Sequence, residues 1–284
     1  MSLPFINVVE ETFGRAFNEL LKRVYDEGVR SAKESYAYRT EEDFLFRECE
    51  SRVEIKNLLK EPMFSKAMPG LPDFPNYIND VLLGTKDYLI EKGLYTYTYH
   101  ERIFSTIKGG QLAEVIRKLG NHPYSNRAQV VTWQVPKDNL MESGQPCLQR
   151  IWFKVLLSPE ENVLRMHTEW RSRDLVFAFS ENVAGMMGIG KLVRDCLNDY
   201  YNLKIRRINY VDRCDSLHVY EKDAREFERI VSALRKKRED ESLLESTSSI
   251  LKNLWKGKEI FDGVEKAKKE IFDPIFRTNA PGGI

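Results

Sequence analysis

The residue in this sequence best suited to nucleophilic chemistry is Cys147, which follows a proline in residues 144–148, GQPCL. A thiolate is strongly nucleophilic, adds reversibly to electron-poor carbon, and becomes available when nearby cations lower the pKa of the thiol. Arg127 and Arg171 are the candidate cations. A lone cysteine at the start of a strand is more often a small buried hydrophobic residue, so the interpretation needs support from other segments.

Several polar segments supply that support. They are YTYHER at 97–102, SNR at 125–127, RSRDLVFAFSENVA at 171–184, LHVY at 217–220 and APGGI at 280–284. In this order they resemble motifs of the thymidylate synthase family: Tyr-Gly-x-x-x-Arg, Ser-Arg-Arg, Arg-Ser-x-Asp with Asn after seven further residues, His-x-Tyr, and a terminal Ala-Pro-x-x-Ile. The resemblance runs from about residue 77 to residue 220 and includes the terminus. It points to the divergent archaeal-type members.

The resemblance implies a role for each polar residue that binds the nucleotide. Arg171 and Arg127 would hold its phosphate, Arg127 reaching across from a partner subunit, while Ser172 donates a hydrogen bond. Asn182 would read the O4 and N3–H edge of uracil, because an amide offers both a donor and an acceptor. His218 and Tyr220 would hold the sugar hydroxyl.

The remaining roles concern chemistry and the folate. The resemblance implies that Cys147 attacks the ring, that Tyr97 assists removal of the C5 proton, and that Asp174 anchors the folate. The Ile284 carboxylate would close over the complex and exclude water. The expected reaction converts dUMP to dTMP with 5,10-methylenetetrahydrofolate and no metal, in a homodimer with shared active sites.

Two other functions are kept as alternatives. A hydroxymethylase acting on dUMP, dCMP or CMP would use the same cysteine and folate but quench its intermediate with water. A non-catalytic paralogue would keep the fold and bind nucleotide only. Single residues also have simpler interpretations: Arg171 could pair with Asp174 or a neighbouring acid as a surface salt bridge. Asn182 could cap a helix that begins at Val183, and His218 and Tyr220 could be packing residues.

Some positions depart from the family pattern. Asn126 stands where the first of two arginines is usual, Leu148 where histidine often follows the nucleophile, and Trp170 where glutamine is usual. If Gly84 aligns with the glycine that ends the family's early catalytic helix, Tyr77 falls where the family has a glutamate that organises proton transfer. The candidate replacements for that glutamate are Asp73, Asp80 and Glu101, and the candidates for the first phosphate-loop cation are Lys33, Arg39 and Arg47.

Hydrophobic periodicity predicts the elements that must position these residues. Helices are expected over residues 5–27, 77–92, 182–200 and 223–239, with helical spacing continuing over 240–275. Strands are expected over 52–59, 128–135, 148–157, 163–170, 204–211 and 216–220. Three glycines within 182–200 should let that helix pack closely against a neighbour. Residues 29–51 look polar and irregular.

Clustered strands with flanking helices indicate an α+β fold. The resemblance makes it a thymidylate synthase-like fold with a large, mostly antiparallel sheet. We expect residues 1–224 to form the catalytic core. Residues 225–284 should form a helical C-terminal segment that ends in an active-site-closing tail, within the same domain or as an appendage.

Composition narrows the class of protein. The 284 residues include 44 basic and 43 acidic residues, so no global field attracts nucleic acid or an anionic membrane. The four cysteines form no CxxC pair, which argues against a zinc site. The sequence has no apolar run of the roughly 20 residues needed to span a bilayer. The N-terminus lacks the features of a secretion signal, so a cytoplasmic location is expected.

Overall fold

A computed structural model of the chain describes residues 2–32, 44–105, 109–236 and 243–277. The strands in those ranges are β1 (Phe5–Glu10), β2 (Val29–Ala32), β3 (Phe44–Ile55), β4 (Phe64–Ser65), β5 (Gln129–Val131), β6 (Leu148–Leu156), β7 (Asn162–Trp170), β8 (Arg173–Asp174), β9 (Ile205–Tyr220) and β10 (Leu244–Glu245). The helices are α1 (Phe13–Glu27), α2 (Phe74–Leu83), α3 (Tyr88–Glu91), α4 (Tyr99–Phe104), α5 (Gly110–Asn121), α6 (Phe179–Tyr201), α7 (Ala224–Lys236), α8 (Thr247–Asn253), α9 (Asp262–Ala267) and α10 (Asp273–Phe276).

Most of the described strands belong to one eight-stranded sheet in the order β1-β3-β9-β7-β6-β5, with β2 paired to β3 and β8 paired to β9. The β3–β9, β2–β3 and β5–β6 pairs are antiparallel, while β1–β3 and β8–β9 are parallel. Strands β10 and β4 form a separate antiparallel pair. The expected large, mostly antiparallel sheet with helices is confirmed.

The alternation of apolar residues located β6 and β7 within one residue of their ends. The predicted strands over 204–211 and 216–220 are one continuous strand, β9. The apolar segment 182–200 lies within α6, which starts three residues earlier. An added Cβ at Gly185 would meet Tyr77 at 2.9 Å, so this glycine does let α6 approach α2 closely.

Several predicted boundaries were wrong. Residues 5–27 are not one helix, because 5–10 form β1 with alternate burial of Ile6 and Val8, and α1 starts only at Phe13. The helix over 77–92 breaks at Gly84, whose φ is +64°. The strand over 128–135 is only three residues long, and the irregular segment 29–51 contains β2 and most of β3.

The C-terminal part is largely helical, as its spacing predicts. Within residues 243–277 the helices are short, a π-helical turn lies between α9 and α10, and strand β10 pairs with β4. A 3₁₀ turn at Glu221–Asp223 leads into α7, whose predicted last residues lie outside the described part of the chain.

One compact unit consists of Met1–Asp73, Glu169–Val183 and Tyr210–Gly257. Its core forms where the apolar face of α1 packs on buried residues of the sheet. The rings of Phe17 and Phe179 stack at 6.0 Å, and those of Phe64 and Trp255 meet edge to face at 5.7 Å. Burying a large apolar side chain contributes about 1.5–3 kcal/mol, so these rings account for a substantial part of the packing energy.

The other unit consists of Phe74–Thr168, Ala184–Asn209 and Lys258–Ile284. Alternate residues of β6, Ile151, Phe153 and Val155, are fully buried, and the residues between them are half-buried. This pattern gives β6 one face toward the core and one polar face. Among the described residues, no helix combines the length and apolar character required to traverse a bilayer.

Candidate active site

Cys147 immediately precedes β6, and hydrogen bonds fix the backbone on both sides of it. The Tyr99 hydroxyl lies 3.4 Å from the Leu148 amide nitrogen and accepts its proton. The Thr132 hydroxyl donates to the Leu148 carbonyl, and the Gln149 side-chain amide donates to the Pro146 carbonyl at 2.8 Å. The Cys147 residue itself is half-buried and forms no disulfide. Its thiol is therefore held on a rigid, partly accessible segment.

A cavity of about 200 Å³ lies beside this segment, and we call it the tyrosine cavity. Its lining residues are Tyr77, Asp80, Val81, Lys86, Tyr95, Tyr97, Thr98 and Tyr99. The rings of Tyr97 and Tyr99 are 5.5 Å apart, edge to face. Burial raises the pKa of the Tyr99 phenol well above its usual range, and Tyr97, Tyr77 and Cys147 add to the shift. Tyr99 is therefore a neutral phenol at physiological pH, close to the thiol.

The arginine of the 97–102 segment supports this region from within the core. Arg102 is fully buried and forms a bidentate pair with Asp138, at 2.8 and 3.1 Å. The Asp138 carboxylate also accepts the backbone N–H of Gln134 at 2.6 Å. The Arg102 guanidinium carbon lies 5.7 Å from the centre of the Tyr97 ring. Arg102 thus braces the tyrosine that lines the cavity.

The loop at residues 125–127 is exposed and positively charged. The Arg127 guanidinium has no hydrogen bond or ion pair within the described residues, although its backbone carbonyl accepts from Lys118 at 3.2 Å. Asn126, which stands where an arginine is usual, accepts a hydrogen bond from the Lys154 ammonium at 2.9 Å. Lys154 of β6 therefore places a positive charge next to Asn126, where the usual arginine is absent.

In the other unit, Asp174 and His218 are register partners on β8 and β9. One Asp174 carboxylate oxygen accepts the backbone N–H groups of Val176 and Phe177, at 2.8 and 3.3 Å. The second oxygen has no partner among the described residues, and no ion pair joins Asp174 to Arg171 there. Burial raises the pKa of Asp174 above its ordinary value. The simpler interpretation of an Arg171–Asp174 salt bridge is therefore wrong.

His218 is 5% exposed, and its ring Nδ1 lies 3.2 Å from the Ser216 carbonyl. Because a carbonyl can only accept, Nδ1 carries the proton and Nε2 is left as an acceptor. This Nε2 is buried and has no partner in the described structure. Burial lowers the pKa of His218, and the Tyr220 ring packs edge to face at 4.8 Å. The pair can offer one acceptor and one hydroxyl to a bound sugar.

Asn182 lies within the first turns of α6, where its backbone N–H donates to the Ala178 carbonyl at 2.9 Å. The helix starts at Phe179, so the alternative that Asn182 caps a helix beginning at Val183 is wrong. The Asn182 residue is 8% exposed. Arg171 and Ser172 follow β7 and are half-buried, and the Ser172 hydroxyl has no partner within the described ranges.

Arg173 was not singled out from the sequence, yet its charged side chain is buried near these residues. Its guanidinium lies 4.3 Å from the Trp170 ring centre and 4.2 Å from that of Phe179, and it forms an ion pair with Asp212. The Tyr210 hydroxyl donates to the same carboxylate at 2.7 Å. The sequence signal that could have identified Arg173 is its place between two aromatic residues, Trp170 and Phe179.

The structure also clarifies the departures from the family pattern. Trp170 and Leu148 are both buried in the core. The Arg47 guanidinium donates to the carbonyls of Tyr25 and Phe46, so these two hydrogen bonds already hold it within the protein. Lys33, Arg39 and Ile284 lie outside the described residues.

Comparisons with known proteins agree with this geometry. The family model described as thymidylate synthase matches residues 90–253. An archaeal protein that carries the provisional name thymidylate synthase, from Methanothermobacter thermautotrophicus, is 29% identical over 138 residues, which is 48% of this chain and 57% of that protein. A counterpart from Methanothermobacter marburgensis is 33% identical over 92 residues, covering 32% and 39%. The chain thus spans about half or less of these relatives.

The fold comparison extends further along the chain. The structure of the thermostable thymidylate synthase A from Bacillus subtilis superposes with a TM-score of 0.56 and 12% identity. The superposition covers 78% of this chain and 84% of that one. The predicted α+β fold and the predicted likeness to archaeal-type proteins are both confirmed.

Proposed function

Because the chain belongs to the thymidylate synthase family, we propose that it converts dUMP to dTMP through a covalent adduct on Cys147. The observation that carries the proposal is the setting of that thiol. Cys49, Cys196 and Cys214 are buried, whereas Cys147 is partly accessible on a fixed segment beside the tyrosine cavity.

The chemistry explains why a thiol is needed. C5 of uracil is a poor nucleophile, so a group must first add at C6 and convert the ring into an enolate. The Cys147 sulfur forms the C6 bond, and its later departure restores the ring double bond. Hydrogen bonds to Leu148 and from Gln149 hold the backbone on both sides, so the sulfur attacks from a defined position.

Each nucleotide group has a proposed partner in the chain. Arg127, whose guanidinium is uncommitted, and Arg171 bind the phosphate, and Ser172 donates its hydroxyl. Asn182 reads the uracil edge. His218 accepts the sugar hydroxyl proton at its buried Nε2, and Tyr220 supplies the second contact.

The residues present also fit a folate. When bound, 5,10-methylenetetrahydrofolate supplies the one-carbon unit and the hydride. Asp174 has one carboxylate oxygen fixed by two backbone N–H groups and the other available, which suits an N–H donor of a pterin ring. The exposed ring of Phe177 next to it offers an apolar surface.

Hydroxymethylation is the second candidate, and Tyr77 is the observation that favours it. When Gly84 is aligned with the glycine that ends the family's early catalytic helix, this tyrosine falls where the family has glutamate, and it lines a cavity with room for water. Trp170, which also departs from the family pattern, is buried against Arg173.

Product analysis separates the two reactions. Purified protein is incubated with dUMP and 5,10-methylenetetrahydrofolate, and nucleotides are resolved by chromatography while dihydrofolate is followed by absorbance. Equal amounts of dTMP and dihydrofolate support methylation. A hydroxymethyl nucleotide without dihydrofolate rejects methylation in favour of the second candidate. Parallel incubations with dCMP and CMP test the role of Asn182, because a cytosine preference would contradict it.

A second experiment tests whether the chain is catalytic at all. With 5-fluoro-dUMP and the folate, mass spectrometry should find a covalent adduct on Cys147. The adduct should be absent from Cys147→Ser. A wild-type protein that binds nucleotide but forms no adduct would instead be the non-catalytic paralogue.

The proposal includes a homodimer in which Arg127 serves the partner's nucleotide. Mixing inactive Cys147→Ala and Arg127→Ala chains should then restore part of the activity, since one of the two sites in a mixed dimer keeps both residues. Failure to recover activity while native mass spectrometry shows mixed dimers would contradict a shared site.

A further inference from the structure

The tyrosine cavity contains one carboxylate among its lining residues, Asp80. Asp80 lies three residues after Tyr77 on α2, and residues at that spacing share a helix face. When Gly84 is aligned with the glycine that ends the family's early catalytic helix, Tyr77 falls where the family has glutamate. One helical turn further on, Asp80 places a carboxylate that faces the same cavity.

The neighbours of Asp80 hold its carboxylate in place. The Thr85 hydroxyl donates to one oxygen, and the Lys86 ammonium lies 2.6 Å from the other. The Asp80 side chain is 14% exposed, so it is fixed in a largely enclosed setting. Lys86 also lines the cavity, and its charge balances the carboxylate.

Asp73 and Glu101, the other two candidate carboxylates, do not line the tyrosine cavity. Asp73 is exposed, in the 3₁₀ turn Leu71–Asp73. One Glu101 oxygen lies 3.1 Å from Arg102 Nε, and Glu101 does not line the cavity. Asp80 alone of the three shares a cavity with Tyr97 and Tyr99, and Tyr99 contacts the residue after Cys147.

We propose that Asp80 is the terminal acceptor of the C5 proton of the nucleotide. The inference rests on the proposed function and names the residue that accepts the proton in that reaction. Once Cys147 is bonded to C6 and C5 has bonded to the one-carbon unit, the C5–H bond breaks, and its electron pair passes into the ring as the enolate. The proton passes through the Tyr97 hydroxyl and cavity water to the Asp80 carboxylate, which becomes neutral and later returns the proton to solvent. A cavity of about 200 Å³ has room for several waters.

The test separates proton removal from adduct formation. Tritium release from [5-³H]dUMP in the presence of the folate reports breaking of the C5–H bond. The adduct with 5-fluoro-dUMP reports Cys147 addition and folate binding, since fluorine replaces the proton. The variants are Asp80→Asn, Asp80→Glu and, as the matched control, Asp73→Asn.

Asp80→Asn should lose tritium release by about 100-fold or more, the usual contribution of a general base, and still form the fluorinated adduct. Asp80→Glu should recover part of the release, and Asp73→Asn should match wild type. Wild-type release by Asp80→Asn would overturn the inference. Loss of the adduct in both Asp80 variants would also overturn it, because Asp80 would then be structural. A wild-type protein that forms no adduct refutes the proposed function itself.

Discussion

The Tyr99 hydroxyl accepts the backbone N–H of Leu148 at 3.4 Å, and this bond joins the wall of the tyrosine cavity to the residue that follows Cys147. Tyr99→Phe removes the acceptor and leaves that N–H without its partner, at a cost of about 1–3 kcal/mol. We expect slower formation of the fluorinated adduct together with this loss of stability. Rapid-quench mass spectrometry and urea unfolding measure the two effects. Tyr124→Phe, at an exposed tyrosine, is the control, and equal behaviour of both variants would contradict the prediction.

Breaking the buried Arg102–Asp138 ion pair should lower the free energy of unfolding more than breaking an exposed ion pair does. Both side chains are fully buried, so Asp138→Ala removes both bonds of the bidentate pair and leaves the guanidinium with only Glu101 beside its Nε, which should lower the free energy of unfolding by about 3–5 kcal/mol. Arg117→Ala breaks an exposed pair with Glu114 and should cost less than about 1 kcal/mol. Denaturant unfolding compares the two, and similar losses would show that burial does not decide the energy here.

Asp174→Asn should lower the activity of the protein without lowering its stability. Burial raises the pKa of Asp174, so the folded protein binds this proton more tightly than the unfolded chain does, and stability is lost as the pH rises through that pKa. Asparagine avoids this cost and can still accept the Val176 N–H. We expect a variant at least as stable as wild type at pH 7, with the difference shrinking toward pH 4. Folate-dependent turnover should fall about 10–100-fold. A clear loss of stability at pH 7 would contradict this account.

His218 should make the fold sensitive to acid. Burial lowers its pKa, against opposing effects of the Ser216 carbonyl and of Asp174 and Glu48. The unfolded chain therefore takes up this proton first, so the free energy of unfolding declines as the pH falls below about 6.5. Unfolding measured at pH 7.5 and 5.5 should show a smaller decline in His218→Asn than in wild type. An identical decline in both proteins would exclude His218 as the source.

Local patterns predicted the elements whose own residues are strongly apolar or β-forming. The β-forming residues of β6 and the apolar run in α6 are such cases. The junction between β1 and α1 was missed because Phe5, Val8, Val9 and Phe13 also fit helical spacing. The break at Gly84 depends on a left-handed backbone, which a glycine permits but does not require.

Local sequence patterns are limited in the same way when they are used to predict the candidate site. Motifs identified Cys147, Asp174 and His218, because their spacing is visible along the chain. Tyr99 and Arg173 were missed since their partners, Leu148 and Asp212, are 49 and 39 residues away in sequence. Ranking Asp80 above Asp73 required the cavity, which no local pattern describes.

The unequal burial of the four thiols makes the unmodified protein suitable for labelling at one position. Burial raises the pKa of Cys49 to about 12 and raises those of Cys196 and Cys214 further, so all three resist alkylation. A maleimide or iodoacetamide should therefore attach one reporter group, at Cys147. A fluorophore placed there would sense occupancy of the neighbouring cavity directly, and a bound nucleotide should protect the thiol from the reagent.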